Sequence, residues 1–237
     1  MLCASALLAA GWWHRHTLPE PARLRAEVTQ DPAQTDTLRA PFSVRAGSVD
    51  YRVRPLQDYD ISGLVVSLHH TDAWWDWIHA AANDHLNVVD LCVVWGANAL
   101  SGAYQRTTFS SGQFVCYASS HDREAVSGAN SRAISNNHLL SADPAVARQL
   151  KKVRIGDQIR LRGQLAEYSH NHGMAFQRGT SLTRDDGGNG ACETVYVQDV
   201  TLLAAAPRWP RLLTLLGAAG WLLALVMWWR QPMQASH

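Results

Sequence analysis

The stretch IGDQIRLRGQLAEYSHNHG, residues 155–173, decides the fold class, because its apolar and polar residues alternate as they do along a β-strand. A turn at Gly156 and Asp157 precedes the alternating part. One face of the predicted strand carries Ile159, Leu161 and Leu165. The opposite face carries Arg160, Arg162, Gln164 and Tyr168. A strand that is apolar on one face packs against a core, so this segment predicts a half-buried sheet.

Gly163, in the middle of this segment, allows a bend or a close approach of another backbone. Glycine kinks of this kind let strands curve around a small barrel, as in the oligonucleotide/oligosaccharide-binding (OB) fold. We therefore expect a mainly β, α+β domain: a small curved sheet or an OB-like barrel with one or two helices.

The rest of the domain supports this fold class. Four further strands are predicted at SVDYRVRPL (48–56), SGLVVSLHH (62–70), VVDLCVVWG (88–96) and GQFVCYAS (112–119), and CETVYVQDVTLL (192–203) is expected to be the last strand. Helical spacing predicts an amphipathic helix over residues 71–86. A second, short helix is predicted within SADPAVARQLKK (141–152), with Asp143 as N-cap and Pro144 at the first helical position.

Apolar segments flank the domain. Residues 212–229, LLTLLGAAGWLLALVMWW, contain no charge and are apolar on every side, which predicts a transmembrane helix rather than a core helix. Residues 1–13 are apolar but too short to span a bilayer, so we expect an N-terminal membrane anchor or uncleaved signal. The alternatives are a cleaved signal or an internal false start. Residues 14–40, rich in proline and charge, predict a flexible tether, and residues 41–206 the folded domain.

The charge balance limits the partners. A net charge of +1, with Lys151 and Lys152 as the two lysines, argues against a nucleic-acid partner, which requires a clustered basic surface. Membrane lipid and a protein or envelope polymer are the partners that we expect.

The cysteines indicate a compartment. Cys92 and Cys116 lie within predicted strands about one hairpin apart, and Cys192 opens the last strand. In an exported domain Cys92 would pair with Cys116, whereas in a reducing compartment the three would be small buried hydrophobic residues. No CxxC pair is present, which disfavours a redox enzyme or a zinc ribbon.

The histidines do not form a recognised metal-binding spacing such as HExxH, so we expect neither a metal nor a cofactor. The segment SNNHLL, residues 135–140, is interpreted as an Asx-type turn. The segment RDDGGNG, residues 184–190, lacks the order of acidic residues of a calcium loop and is interpreted as a glycine-rich turn.

Several motifs together resemble a family of uncharacterised bacterial membrane-anchored proteins, over residues 51–203. These motifs are DLCVVWG, SNNHLL, GDQIRLRGQLAEY, RGTSLTRDD and GNGACETVYV. The family implies no assigned activity. The VRPLQDYDISGL and IGDQIRLRG segments are also similar to the beside-a-membrane domain of membrane-embedded ubiquitin ligases, but this chain has no RING finger, so no ligase activity follows.

Two classes of function remain open. The first is a noncatalytic binding or assembly module of the bacterial cell envelope, and the second is a hydrolase-like enzyme that uses His138 or His170 with Asp185 or Cys192. We favour the first, because no nucleophile, base and orienting group can be nominated by their spacing. The expected binding residues are Arg160, Arg162, Tyr168, Arg178, Arg184 and Asp185. For Arg160 and Arg162 the alternative is a solvated strand face.

The charges beside the two apolar segments bear on which side of the membrane holds the domain. Arg15, Arg23, Arg25, Arg208 and Arg211 lie on the domain side of these segments, so a positive-inside count favours the cytoplasm. A first hydrophobic segment usually acts as an export signal, and cysteines within strands suit an oxidising compartment. We therefore expect an extracytoplasmic domain at the bacterial inner membrane.

Overall fold

A computed structural model describes residues 2–183 and 192–230. Within them the strands are Ala33–Asp36 (β1), Phe42–Ala46 (β2), Val49–His70 (β3), Asn87–Val94 (β4), Thr108–Gly112 (β5), Val115–Ser119 (β6), Ile134–Leu140 (β7), Gln158–His170 (β8), Phe176–Arg178 (β9) and Glu193–Ala204 (β10). The α-helices are Leu2–Trp13 (α1), Trp77–Ala81 (α2), Gly96–Ser101 (α3), Gly128–Arg132 (α4), Pro144–Leu150 (α5) and Trp209–Trp229 (α6). Short 3₁₀ helices cover Pro21–Arg23, Ala26–Thr29, Ala103–Arg106 and Arg123–Val126.

The chain divides into two units. One unit comprises Met1–Leu18 with Pro207–His237, and the other is Pro19–Ala206. The folded domain therefore begins earlier than the sequence predicts. Most of the segment expected to be a tether belongs to it, because β1 pairs with β3 and the side chain of Val28 is fully buried.

The domain is an α+β unit built on one large mixed sheet of eight strands, with a separate β5–β6 hairpin. The two strands predicted over residues 48–70 form one continuous strand, β3, of 22 residues. β3 pairs with both β4 and β8, so that the pairings run β3–β4–β7–β10–β8 and return to β3. Because β1, β2 and β9 lie outside this ring, the sheet is not a closed barrel. The expectation of a small barrel is corrected to a larger mixed sheet.

The long strand β8 has the two faces predicted from its sequence. Ile159, Leu161 and Leu165 are buried in the main core, together with residues of β3, β4, β7 and β10. Gly163 lies against β10, where a Cβ atom would be 2.1 Å from the backbone oxygen of Tyr196. The glycine therefore allows the close approach of the two backbones that the sequence suggests.

Local signals place some elements correctly and others incorrectly. Helix α5 begins as predicted, with the Asp143 side chain accepting a hydrogen bond from the backbone N–H of Ala145 and Pro144 in the first turn. The helix expected over residues 71–86 is reduced to the five residues of α2. The segment SNNHLL is not a turn: it belongs to the buried strand β7, where its backbone pairs with β4 and β10.

In the other unit, α1 packs against α6 in an antiparallel pair. Gly11, near the C-terminal end of α1, lies close to Thr214. Ala4, near the N-terminal end of α1, lies close to Gly217 and Gly220. The small residues let the helices approach closely, and the indole N–H of Trp221 donates to Ser5 Oγ at 3.1 Å. Among the described residues, α6 is the one helix that is long and apolar enough to cross a membrane.

Candidate functional site

One face of the central strands is polar although both faces are buried. Side chains alternate along a strand, so Leu91 and Val93 of β4 point into the main core, whereas Asp90 and Cys92 point to the opposite face. The strand register aligns a row of polar residues across four strands on that face. The row consists of His69 on β3, Asp90 on β4, His138 on β7 and Thr194 on β10.

Side chains from this row and from the β3–β4 connection form a buried hydrogen-bonded network. We call it the histidine–aspartate network, and it consists of His69, Asp76, His79, Asn87, Asp90 and His138. All six side chains are buried. The network therefore holds two carboxylates and three imidazoles away from bulk solvent.

Asp76 anchors one end of the network. Its Oδ2 lies 2.6 Å from His69 Nε2 and 2.5 Å from His79 Nδ1, and its Oδ1 accepts from the backbone N–H of His79 at 3.0 Å. Burial alone would raise the pKa of Asp76, but the hydrogen bonds from His69 and His79 hold that pKa below its usual value. Asp76 is therefore an ionised carboxylate that fixes the β3–β4 connection on the sheet.

Asp90 anchors the other end. Its Oδ1 accepts from His138 Nδ1 at 2.6 Å and from Asn87 Nδ2 at 2.8 Å, and its Oδ2 accepts from the backbone N–H of Phe114 at 3.2 Å. Burial would raise the pKa of Asp90, but the neighbouring His138 and Asn87 hold that pKa below its usual value. The side chain thus ties β4 to β7 and to the tip of the β5–β6 hairpin.

The hydrogen bonds assign the tautomer of His138. Its Nε2 lies 2.5 Å from a guanidinium nitrogen of Arg178, which can only donate, so Nε2 accepts and Nδ1 carries the proton that Asp90 receives. Burial and the positive charge of Arg178 lower the pKa of His138, although Asp90 opposes them. His138 is therefore a neutral imidazole with both ring nitrogens engaged.

Among the described residues, His69, Asp76 and His79 form a group that could hold a metal ion, since their ligand atoms lie within 4.8 Å of one another. The hydrogen bonds around His79 do not fit this role. Asn87 Nδ2 lies between His79 Nε2 and the carboxylate of Asp90, so it donates to both, and the proton of His79 must sit on Nδ1. A metal would need that nitrogen unprotonated, and the cluster is better explained as a hydrogen-bonded support.

Beside the network lies an open cleft of about 910 Å³. Its lining comprises residues 113–116 and Ala118 of the hairpin, residues 134–136 of β7, residues 177–180 at β9, Ile78 and Cys192. Phe114, at the hairpin tip, has a φ of 64°, which is uncommon for a bulky side chain. Its N–H bond to Asp90 and its ring contact with His79, with centroids 3.8 Å apart, hold it there. The network therefore shapes one wall of the cleft.

The hairpin is also held covalently. Cys92 of β4 and Cys116 of β6 form a disulfide with Cα atoms 5.8 Å apart, as expected for an exported domain. Cys192 is a free thiol that lines the same cleft, and burial raises its pKa. A thiol that is protonated at neutral pH is a poor nucleophile.

The predicted binding residues occupy different places. Arg178 lines the cleft. Arg160 forms a bidentate pair with Asp60, and Arg162 pairs with Asp199 at 3.0 Å, so both charges are balanced on a half-exposed strand face. Tyr168 lies on the same side of β8, but other elements cover that side here: Tyr168 is buried, and its hydroxyl donates to Asp84 at 2.6 Å. Arg184 and Asp185 lie outside the described residues.

Sequence reasoning missed the network and Asn136. A usable signal is present in β4, where Asp90 is a single charged residue within an apolar run. The consecutive polar residues 135–138 of β7 show no alternation and give no such signal. The partner that completes the pattern, Asp76, is not in a strand and has no periodic signal. Comparisons with protein-family models, curated proteins and solved structures find no match to this chain.

Proposed function

We propose that this chain is a membrane-anchored binding module whose β domain presents the cleft to a polymer or protein of the cell envelope. The observation that carries the proposal is that two side chains of the cleft wall, Arg178 and Asn136, keep polar atoms without a partner among the described residues. Arg178 has one guanidinium nitrogen bonded to His138 and forms no ion pair with a carboxylate among the described residues. Asn136, only 5% exposed, has a buried amide oxygen that finds no hydrogen-bond partner within the described part of the chain. Buried polar groups rarely lack partners, so a ligand that supplies them is favoured.

The strand order supports a binding role. The strands β3, β4, β7, β10 and β8 pair in this order, with β7 parallel to β10 and helix α5 between β7 and β8. We propose that this part of the mixed sheet is OB-like, since the OB fold is a partly open five-stranded arrangement. Such domains bind polymers on the face of their second and third strands, between the connections that follow the first and fourth strands. Here that face belongs to β4 and β7, and Ile78 and Arg178 come from the corresponding two connections.

The membrane part of the proposal rests on the helix pair. Because α1 and α6 are antiparallel, the ring of His14 and the ring of Trp209, with centroids 5.0 Å apart, lie at the same end of the pair. The two segments that lead to the domain thus leave the helices at one end. A bilayer around α6 would place the domain on one side, which we propose is the extracytoplasmic side of a bacterial inner membrane.

The alternative, an enzyme that uses His138 or His170, is less well supported. Both nitrogens of His138 are engaged, as shown above. Both ring nitrogens of His170 are also engaged, since Nε2 donates to the Ala82 carbonyl at 2.8 Å and Nδ1 accepts from the N–H of His172. A general base needs a free lone pair within reach of the substrate. Neither histidine lines the cleft.

Site-specific photo-crosslinking in cells tests the proposed function without a prior choice of ligand. A benzophenone amino acid is introduced at Val115, in the cleft wall, and as a matched control at Arg148, on the exposed surface of α5. We expect an adduct with an envelope component at position 115 that is absent at position 148 and reduced by Asn136→Leu. Equal labelling at the two positions, or no adduct at either, would refute the binding role of the cleft.

A further inference from the structure

The lining of the cleft is chemically asymmetric. Among the described residues that line it, Arg178 carries the one charge, and the other polar side chains are neutral amides, hydroxyls and a thiol. The carboxylates of Asp76 and Asp90 lie beneath the wall, already bonded to imidazole, amide and backbone donors. Among the described residues, a ligand in the cleft therefore meets a guanidinium without a carboxylate partner, and no exposed carboxylate.

Arg178 is fixed in position before any ligand binds. Its guanidinium carbon lies 4.1 Å from the centre of the Phe114 ring, and one nitrogen donates to His138. A guanidinium has five N–H donors, so four remain for a ligand, in a planar arrangement that suits the two oxygens of a carboxylate. Because the side chain is already held, little conformational entropy is lost on binding.

Asn136 sets a second requirement. Its amide NH₂ makes only a weak contact with Cys192 Sγ at 4.0 Å, and no described residue pairs with its buried oxygen. Because this oxygen has almost no accessible surface, a ligand can satisfy it only if the cleft wall shifts to expose it, and the ligand must then supply a donor. A phosphate diester or sulfate has no such donor. The ligand group must therefore offer an acidic acceptor to Arg178 and a hydroxyl or N–H donor to Asn136.

We infer that the cleft recognises an acidic oligosaccharide through a sugar carboxylate and its neighbouring hydroxyl group, as in a uronic acid. This inference rests on the proposed function and names the ligand class of the same cleft. A nucleic acid fits less well, because its phosphates require several clustered cations and the cleft has one. The side-chain amides of Gln113 and Gln177, on a lining that is otherwise mainly apolar, suit a neutral, hydroxyl-rich chain on either side of the acidic sugar.

Calorimetric titration of the full chain in lipid nanodiscs tests this inference with three probes. The probes are tri-galacturonate, its fully methyl-esterified form and the peptide acid N-acetyl-Ala-Ala. We expect tri-galacturonate to bind at least about tenfold more tightly than the ester, as a charge-assisted hydrogen bond implies. Arg178→Gln should remove this difference and leave the weak binding of the ester unchanged, whereas Asn136→Leu should weaken both sugars.

Two controls keep the test decisive. Arg148→Gln makes the same chemical change on the exposed surface of α5 and should not alter binding. If Arg178→Gln fails to fold, Arg178→Lys takes its place. Lysine keeps the positive charge but not the planar, bidentate guanidinium, so this variant should retain only part of the preference for the acid over the ester. Equal binding of acid and ester, or binding of the peptide acid alone, would overturn the inference. The proposed function would still stand if the cross-link at position 115 persisted, and it would fall separately if that cross-link were absent.

Discussion

His138 Nδ1 donates to Asp90 Oδ1 at 2.6 Å, and neither side chain has any exposed surface. The pair joins β7 to β4 on the polar face of the sheet, directly behind the cleft. The second ring nitrogen of His138, Nε2, accepts a hydrogen bond from Arg178. A single imidazole therefore connects a buried carboxylate to the cation that a ligand would meet. The stability of the domain and the position of Arg178 therefore depend on the same side chain.

Replacement of His138 by leucine is expected to destabilise the domain by about 3 kcal/mol or more, because it removes one donor from the buried charge of Asp90. The free energy of unfolding can be measured by denaturant titration of the detergent-solubilised chain. His121→Leu, at an exposed loop position, is the matched control and should change stability by less than about 0.5 kcal/mol. Equal effects of the two substitutions would contradict the role assigned to His138.

Stability should also decrease on the acid side of neutrality. The pKa of His138 is lowered from 6.5 in the folded domain, so below about pH 6.5 the unfolded chain binds a proton that the folded chain does not. The lowered pKa of Asp90 adds a second loss, which begins below about pH 3.8 and continues as the pH falls through the lower pKa of the folded domain. Unfolding measured at pH 7.5 and 5.5 should show a drop that is smaller in His138→Gln. An unchanged pH slope in that variant would show that His138 is not the titrating group.

The sequence predicted local features well where one residue decides the structure. Asp143 and Pro144 mark the start of α5 because the cap and the restricted φ angle act within a single turn. β7 was misinterpreted, because the polar residues of SNNHLL favour a turn locally. In the folded chain, strand pairing on both sides and the hydrogen bond from His138 to Asp90 outweigh that preference. Such partners come from distant segments, which a local pattern does not contain.

The expected binding residues of the candidate site differ in the same way. Arg178 is one of the residues expected to bind a partner, and it lies at the end of β9 in the lining of the cleft. Tyr168 was nominated by alternation along β8, but that strand is long enough to pass from an exposed face to a buried cluster with Tyr51 and Leu140. Alternation gives the side of the sheet on which a residue lies. It does not tell whether other elements cover that side.

The disulfide between Cys92 and Cys116 is expected to stabilise the domain by about 3 kcal/mol, because it closes a loop with a sequence separation of 24 residues in the unfolded chain. The double variant Cys92→Ala, Cys116→Ala should lower the free energy of unfolding by this amount, whereas Cys192→Ala should change it little. Thiol alkylation of freshly isolated membranes gives an independent measurement. Free thiols at both Cys92 and Cys116 before reduction would contradict the disulfide.

The side of the membrane can be determined with alkaline phosphatase, which is active only after export. A fusion after Ala206 is expected to be active, because we propose an extracytoplasmic domain. A second fusion after Arg230 is the control and should be inactive, because α6 lies between the two positions and is long enough to cross the bilayer. A stable but inactive fusion at Ala206 would place the domain in the cytoplasm, where the disulfide would not be expected to persist.

Gly163→Ala should be among the most destabilising small substitutions in the domain. A methyl group at this position would lie 2.1 Å from the backbone oxygen of Tyr196, and backbone cannot move aside as a flexible side chain can. The pairing of β8 with β10 would have to open beside the register shift between Val197 and Asp199, with an expected cost of about 1–3 kcal/mol or more. Gly179→Ala is the matched control, since a Cβ atom there meets no atom within 4 Å. Denaturant unfolding of both variants checks the prediction, and equal midpoints would show that the two strands do not depend on this contact.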